Sequence, residues 1–127
     1  MIEFITRGDP EYEYDPSYKV LLFCHNEMPD EQRVRRYMND YHDGCKLILM
    51  PIDTILNTTD SDIFDNIKNN MYSYFYITTD NKKIRSKIRN LVKEKCGIDI
   101  HIGRYSKIVN YIDKRSMRKQ KYEGWWF

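Results

Sequence analysis

Acidic side chains are the first candidates for chemistry in this sequence. Glu27, Asp53 and Asp80 each follow shortly after an apolar run of strand length, with Asp60 and Asp62 nearby. Two or three convergent carboxylates hold a divalent ion that keeps waters for a phosphate substrate, and that ion polarises a phosphodiester. The alternative expectation for this chain is a metal-dependent nuclease with Asp80, Asp53 and Glu27 as catalytic groups and Mg or Mn held by Asp80 and Asp53. The same acids also suit structural work, because aspartate after a strand is a common turn or N-cap residue. Asp80 stands directly before a helix-like stretch and fits that role too.

Basic side chains form a second and larger constellation. Lys82, Lys83, Arg85, Lys87, Arg89 and Lys93 crowd one stretch, and Arg104, Lys107, Lys114, Arg115, Arg118, Lys119 and Lys121 follow. Residues 1–80 carry 7 Lys and Arg against 15 Asp and Glu, and residues 81–127 carry 14 against 4. A net charge of +2 therefore hides a chain that is −8 in one part and +10 in the other. Clustered cations release counterions when they meet phosphates, the main source of non-specific nucleic-acid affinity. Tyr105, Tyr122, Trp125 and Trp126 lie among or beside these cations and could stack on unpaired bases. The leading expectation is a nucleic-acid-binding protein, for DNA or RNA, that grips the phosphate backbone through a basic helix and the tail 114–127. The competing readings are a solvated basic face and a protein that binds a host protein through its polarised surface, using the acidic segment 9–15 with Tyr12 and Tyr14.

Sulfur and imidazole ligands do not assemble into a zinc site. Cys24 and His25 would lie at the carboxyl end of a parallel sheet, and His42, Cys45 and Cys96 at the amino end. Three cysteines at wide spacing exclude a disulfide framework and suit a reducing, cytoplasmic compartment. No Gly-rich phosphate loop, GxSxG, HExxH or dinucleotide fingerprint is present. Mean hydropathy is −0.75, no apolar run approaches the roughly 20 residues of a membrane span, and residues 1–15 do not resemble a signal peptide. The chain has no alanine and is rich in Ile, Lys, Asn, Asp and Tyr, a codon signature of an AT-rich genome such as a virus or phage.

These groups must be positioned by alternating strands and helices. The spacing predicts strands at 2–6, 18–24, 45–52, 72–78 and 98–102. Helices are predicted from Pro29 to about Asp43, over 61–71 with Ser61 as N-cap, over 81–95, and over 105–115. Continuous apolar runs such as YKVLLFC and CKLILMPI mark strands buried on both faces. The 127 residues form one ordinary domain. Alternation of this kind predicts a single α/β domain with a mostly parallel four-stranded sheet flanked by helices and an edge strand at 2–6. A ferredoxin-like α+β sheet is the alternative, and it would require 61–71 to be an inserted loop.

The stretch YFYITTDNKKIRSKIRNLVKEKCGIDIHI resembles the strand–turn–helix–glycine–strand unit of PIN and NYN nuclease domains and the acidic strand end of Toprim domains. That resemblance implies a Rossmann-like fold and a metal-holding role for Asp80. PIN-like domains carry an aspartate where this chain has Cys24-His25-Asn26, and Toprim domains carry a second one where this chain has Lys82. IVNYIDK is similar to the tyrosine motif of Rep-type initiator nucleases, which implies Tyr111 as nucleophile and Lys114 as its assistant. That family's paired metal-binding histidines have no counterpart in YSYFYIT or IDIHI.

Overall fold

The computed structural model describes residues 2–5, 15–25, 31–42 and 44–123, with side chains for 15–25, 32–38, 40–42 and 44–116. The order of elements is β1 (Ile2–Ile5), β2 (Lys19–Cys24), α1 (Glu31–Tyr41), β3 (Lys46–Pro51), α2 (Ile52–Asn57), α3 (Ser61–Asn70), β4 (Tyr74–Ile77), α4 (Lys82–Cys96), β5 (Ile102–Arg104) and α5 (Tyr105–Glu123). The five strands run in the order β1-β3-β2-β4-β5. β3, β2, β4 and β5 are parallel, and β1 closes one edge antiparallel to β3, with Ile2 opposite Leu49. The single α/β sheet is therefore the observed one. Strand 74–77 pairs parallel to β2, not antiparallel to β3 as the ferredoxin-like alternative needs.

Handedness follows from that order. The chain moves outward from β2 to β3, then returns past β2 to β4 and continues to β5. Right-handed crossovers that reverse direction must pass over opposite faces of the sheet. The two apolar clusters bear this out. Alternate strand residues Val20, Leu22 and Leu49 pack with Val34, Tyr37 and Met38 of α1 and Ile108 and Ile112 of α5. The intervening residues Leu21, Phe23 and Met50 pack with Ile55, Phe64 and Ile67 of α2 and α3 and with Ile88, Val92 and Cys96 of α4. The side-chain period of two sends one apolar run into two cores, which is why β2 and β3 are apolar throughout.

Several boundaries differ from expectation. The strand expected over 45–52 stops at Pro51, which caps the unexpected short helix α2 in extended conformation. The N-cap of α3 is Asp60, whose carboxylate accepts from Asp62 N at 2.9 Å, so Ser61 is the first helical residue. Met71 is not on the buried face of α3; it is the left-handed C-cap, φ 50°, and is exposed. The last strand is 102–104 instead of 98–102. Ile98 and Ile100 still pack inward, so an extended segment reproduces strand periodicity without ladder hydrogen bonds. α5 runs to Glu123, well past the expected end, so much of the basic tail is helical backbone.

Candidate nucleic-acid interface

α4 carries most of the basic surface. Asn81 is its N-cap and accepts from Lys83 N and Ile84 N; Gly97 ends it in the left-handed conformation. Asp80 is thus displaced from the capping role by its neighbour. The apolar stripe of Ile88, Val92 and Cys96 faces the sheet, with Ile84 and Leu91 partly buried beside it. The cations fall into two rows flanking that stripe. Lys83 and Lys87 line a shallow depression with Asn90 and Glu94. Lys82 borders both sides. Arg85 and Arg89 face the β5 edge, where Arg104 and Lys107 join them around a depression of about 560 Å³.

Arg89 is already engaged. Its Nε and Nη2 donate to the two carboxylate oxygens of Asp99 at 2.9 and 3.1 Å, and this pairing holds Asp99 below the usual carboxylate range. Lys93 and Arg115 are exposed. Arg118, Lys119 and Lys121 belong to the helical backbone of α5, but their side chains lie outside the described residues, as do Trp125 and Trp126. The acidic segment 9–15 lies outside them too, except for Asp15.

The carboxyl edge of the sheet holds the acids. Strand order reverses between β2 and β4, and at such a point a doubly wound sheet opens a crevice beyond the strand ends. His25 N donates to Thr78 Oγ1 at 3.2 Å there. Asp80 accepts from Ser106 Oγ at 2.9 Å, with Arg104 Nη1 at 4.0 Å from the same oxygen. Alongside lies a cleft of about 390 Å³ lined by Arg33, Thr78, Tyr105 and Ser106. Burial pushes the Tyr105 phenol up to about 12, so it stays a neutral hydrogen-bonding group. Asp53 sits exposed in the first turn of α2, beyond the end of β3. Among the described residues no three His, Cys, Asp or Glu side chains gather to hold a metal ion, and Glu27 lies outside that set. What the described residues show around Asp80 is a hydroxyl and a guanidinium.

The amino edge carries a group that sequence reading placed only in part. His42 is 5% exposed, with Tyr18 OH hydrogen-bonded to Nδ1 and Tyr76 OH to Nε2 at 2.6 Å. A neutral imidazole has one N–H and one lone pair, so one hydroxyl accepts and the other donates. Burial lowers the His42 pKa to about 4, which keeps the ring neutral. Tyr74 lies against the same ring, centroids 4.6 Å apart, and Tyr74 and Tyr76 stack at 6.3 Å with planes 17° apart. Tyr41 and Tyr111 meet edge to face at 5.8 Å. The signal for this cluster was present in YSYFYIT, where Tyr74 and Tyr76 are two apart and so share a face. Cys45 is buried at this same edge and Cys24 at the opposite one, and among the described residues no three His, Cys, Asp or Glu gather here to hold a metal ion.

These features define a doubly wound α/β domain with a cation-rich surface at its β5 edge and an aromatic cluster beside it. Comparison with protein-family models, curated proteins and solved structures finds no match for this chain. No helix of the described residues is long and apolar enough to cross a membrane.

Proposed function

We propose that this chain is a nucleic-acid-binding domain that holds the phosphate backbone against α4 and the β5–α5 junction. One observation carries the reading. Lys82, Arg85, Arg89, Arg104 and Lys107 surround a single depression whose lining, among the described residues, contains no acidic residue, although Asp99 pairs with Arg89 and Asp80 stands 4.0 Å from Arg104. An evenly solvated surface would intersperse both signs, whereas one-signed concave surfaces concentrate field and attract polyanions.

Backbone contacts of this kind are nearly indifferent to sequence and strongly dependent on salt. The test is fluorescence anisotropy of the full chain with labelled DNA and RNA oligonucleotides across a salt series. Binding should weaken steeply between about 50 and about 200 mM salt, the logarithmic slope growing by about 0.7–0.9 per phosphate neutralised. Absence of binding at low salt, or binding indifferent to salt, contradicts the proposal.

A further inference from the structure

The β5 edge continues past the basic depression into a second, larger groove of about 960 Å³. Its origin is the shortness of β5. Pairing with β4 begins at Phe75, so the first residue of β4, Tyr74, has no strand beside it on that side. Four large apolar side chains are exposed among the described residues: Tyr41 (45%), Met71 (82%), Tyr74 (48%) and Tyr111 (55%). All four line this one groove. Scattered exposed apolar residues need no explanation, but their collection in one concavity marks a binding surface.

The rings are held in place. Tyr76 is fixed by its bond to His42 and stacks on Tyr74, while Tyr41 and Tyr111 brace each other from α1 and α5. Gly103 makes room for this: a Cβ there would stand 2.9 Å from two ring carbons of Tyr76. Arg104 and Lys107 line both this groove and the basic depression, so the two are continuous. Lys68 adds a third cation, and the only carboxylate in the lining among the described residues, Asp99, is paired with Arg89.

We propose that this groove seats unpaired bases of a single nucleic-acid strand on Tyr74, Tyr41 and Tyr111, while Arg104 and Lys107 hold the adjoining phosphates. The inference rests on the nucleic-acid reading above and adds strand type and the location of the stacking groups. Charge complementarity chooses the occupant, because the groove opens onto a row of cations that suits a polyanion. Recessed rings choose single over double strands. Bases inside a duplex have their faces covered, whereas splayed bases offer them to aromatic side chains. The proposed stacking groups are the tyrosines of this groove; Trp125 and Trp126 lie outside the described residues.

The experiment compares labelled oligo-dT and oligo-rU of about 16 nucleotides with a mixed-sequence duplex of the same length, binding the full-length protein. Tyr111→Ala and Tyr41→Ala replace exposed helix residues, and Tyr74→Ala is added with circular dichroism as a folding control. Each should weaken single-strand binding about 5- to 100-fold and change duplex binding less than about 2-fold. Lys107→Glu should weaken both and reduce the salt slope. The salt slope of the tyrosine variants should stay that of the wild type. If Tyr74→Ala does not fold, the two helix variants decide. Unchanged single-strand affinity in the tyrosine variants, with binding still lost on Lys82→Glu, overturns the groove and leaves the nucleic-acid reading standing. Equal losses for single strands and duplex also overturn it. So does a protein dimer, seen without nucleic acid, that the tyrosine variants abolish. No binding by the wild type to any probe removes the underlying reading itself.

Discussion

His42 is the residue on which burial acts most visibly. Its imidazole is enclosed by Tyr18, Tyr41, Tyr74 and Tyr76, and its pKa falls from 6.5 to about 4 because the charged form loses water. The folded value lies below the unfolded one, so protons bind preferentially to the unfolded chain between these limits. Stability from this group is complete above about pH 6.5 and declines as pH drops toward 4, by roughly 3 kcal/mol in all. Denaturant melts between about pH 7 and about pH 4.5 should show that decline, and His42→Gln should flatten it. A decline of equal slope in both proteins would assign the effect elsewhere. Gly103 gives a second test at this scale. Its replacement by Ala pushes on the Tyr76 ring, which the bond to His42 prevents from swinging away. Gly103→Ala should cost about 1–3 kcal/mol, read as a lowered denaturation midpoint, although residue 103 is itself only partly buried.

At the scale of elements, helix ends set the boundaries. Gly97 and Met71 occupy equivalent left-handed caps, at φ 71° and φ 50°. Only glycine takes that conformation without crowding its Cβ, so the two caps predict opposite outcomes. Gly97→Ala should destabilise by about 1 kcal/mol although nothing within 4 Å opposes the added methyl group. Met71→Gly should be neutral to stabilising by up to about 1 kcal/mol, since it removes that crowding and buries nothing. Thermal melts of both variants check the pair, and equal shifts in one direction would contradict the account. The apolar stripe of α4 was legible because the helix is long and its buried residues recur at i, i+4 and i+8. α2 was not. Six residues following directly on a strand give too few turns to show a period, and Pro51 looks the same whether it ends a strand or caps a helix.

At the scale of the whole molecule, acids and cations lie on neighbouring elements. Asp53, Asp62 and Asp65 are exposed on α2 and α3, which pack beside α4, while cations of α4, β5 and α5 meet at the β5 edge. Individual cations differ in what they are free to do. Of the cations around the basic depression, Lys107 has no acidic partner among the described residues, whereas Arg89 is committed to Asp99. Lys107→Glu should therefore lower nucleic-acid affinity without lowering the melting temperature. Arg89→Glu sets a carboxylate against Asp99 and should lower both. Identical behaviour of the two in parallel anisotropy and melting experiments would mean that the pairing has no weight.

The alternation of apolar strands with amphipathic helices, the two-sided burial of β2 and β3, and the −8 and +10 division of charge were all present in the order of residues. They are local or additive properties, fixed by short-range periodicity and by counting. Strand order, the faces on which helices lie, and the meeting of Arg104 and Lys107 with Lys82 and Arg85 were decided only by the tertiary structure. So was the joining of Tyr41, Tyr74 and Tyr111 into one groove, from positions 41, 74 and 111. Such proximity depends on how the crossovers pack and where a three-residue edge strand begins, and no window of the sequence contains both partners. The exposed tyrosines show the difference most sharply. Helical spacing puts Tyr41 on the inward stripe of α1 with Val34, Tyr37 and Met38, but it lies at the end of the helix, where the sheet edge stops and the groove begins.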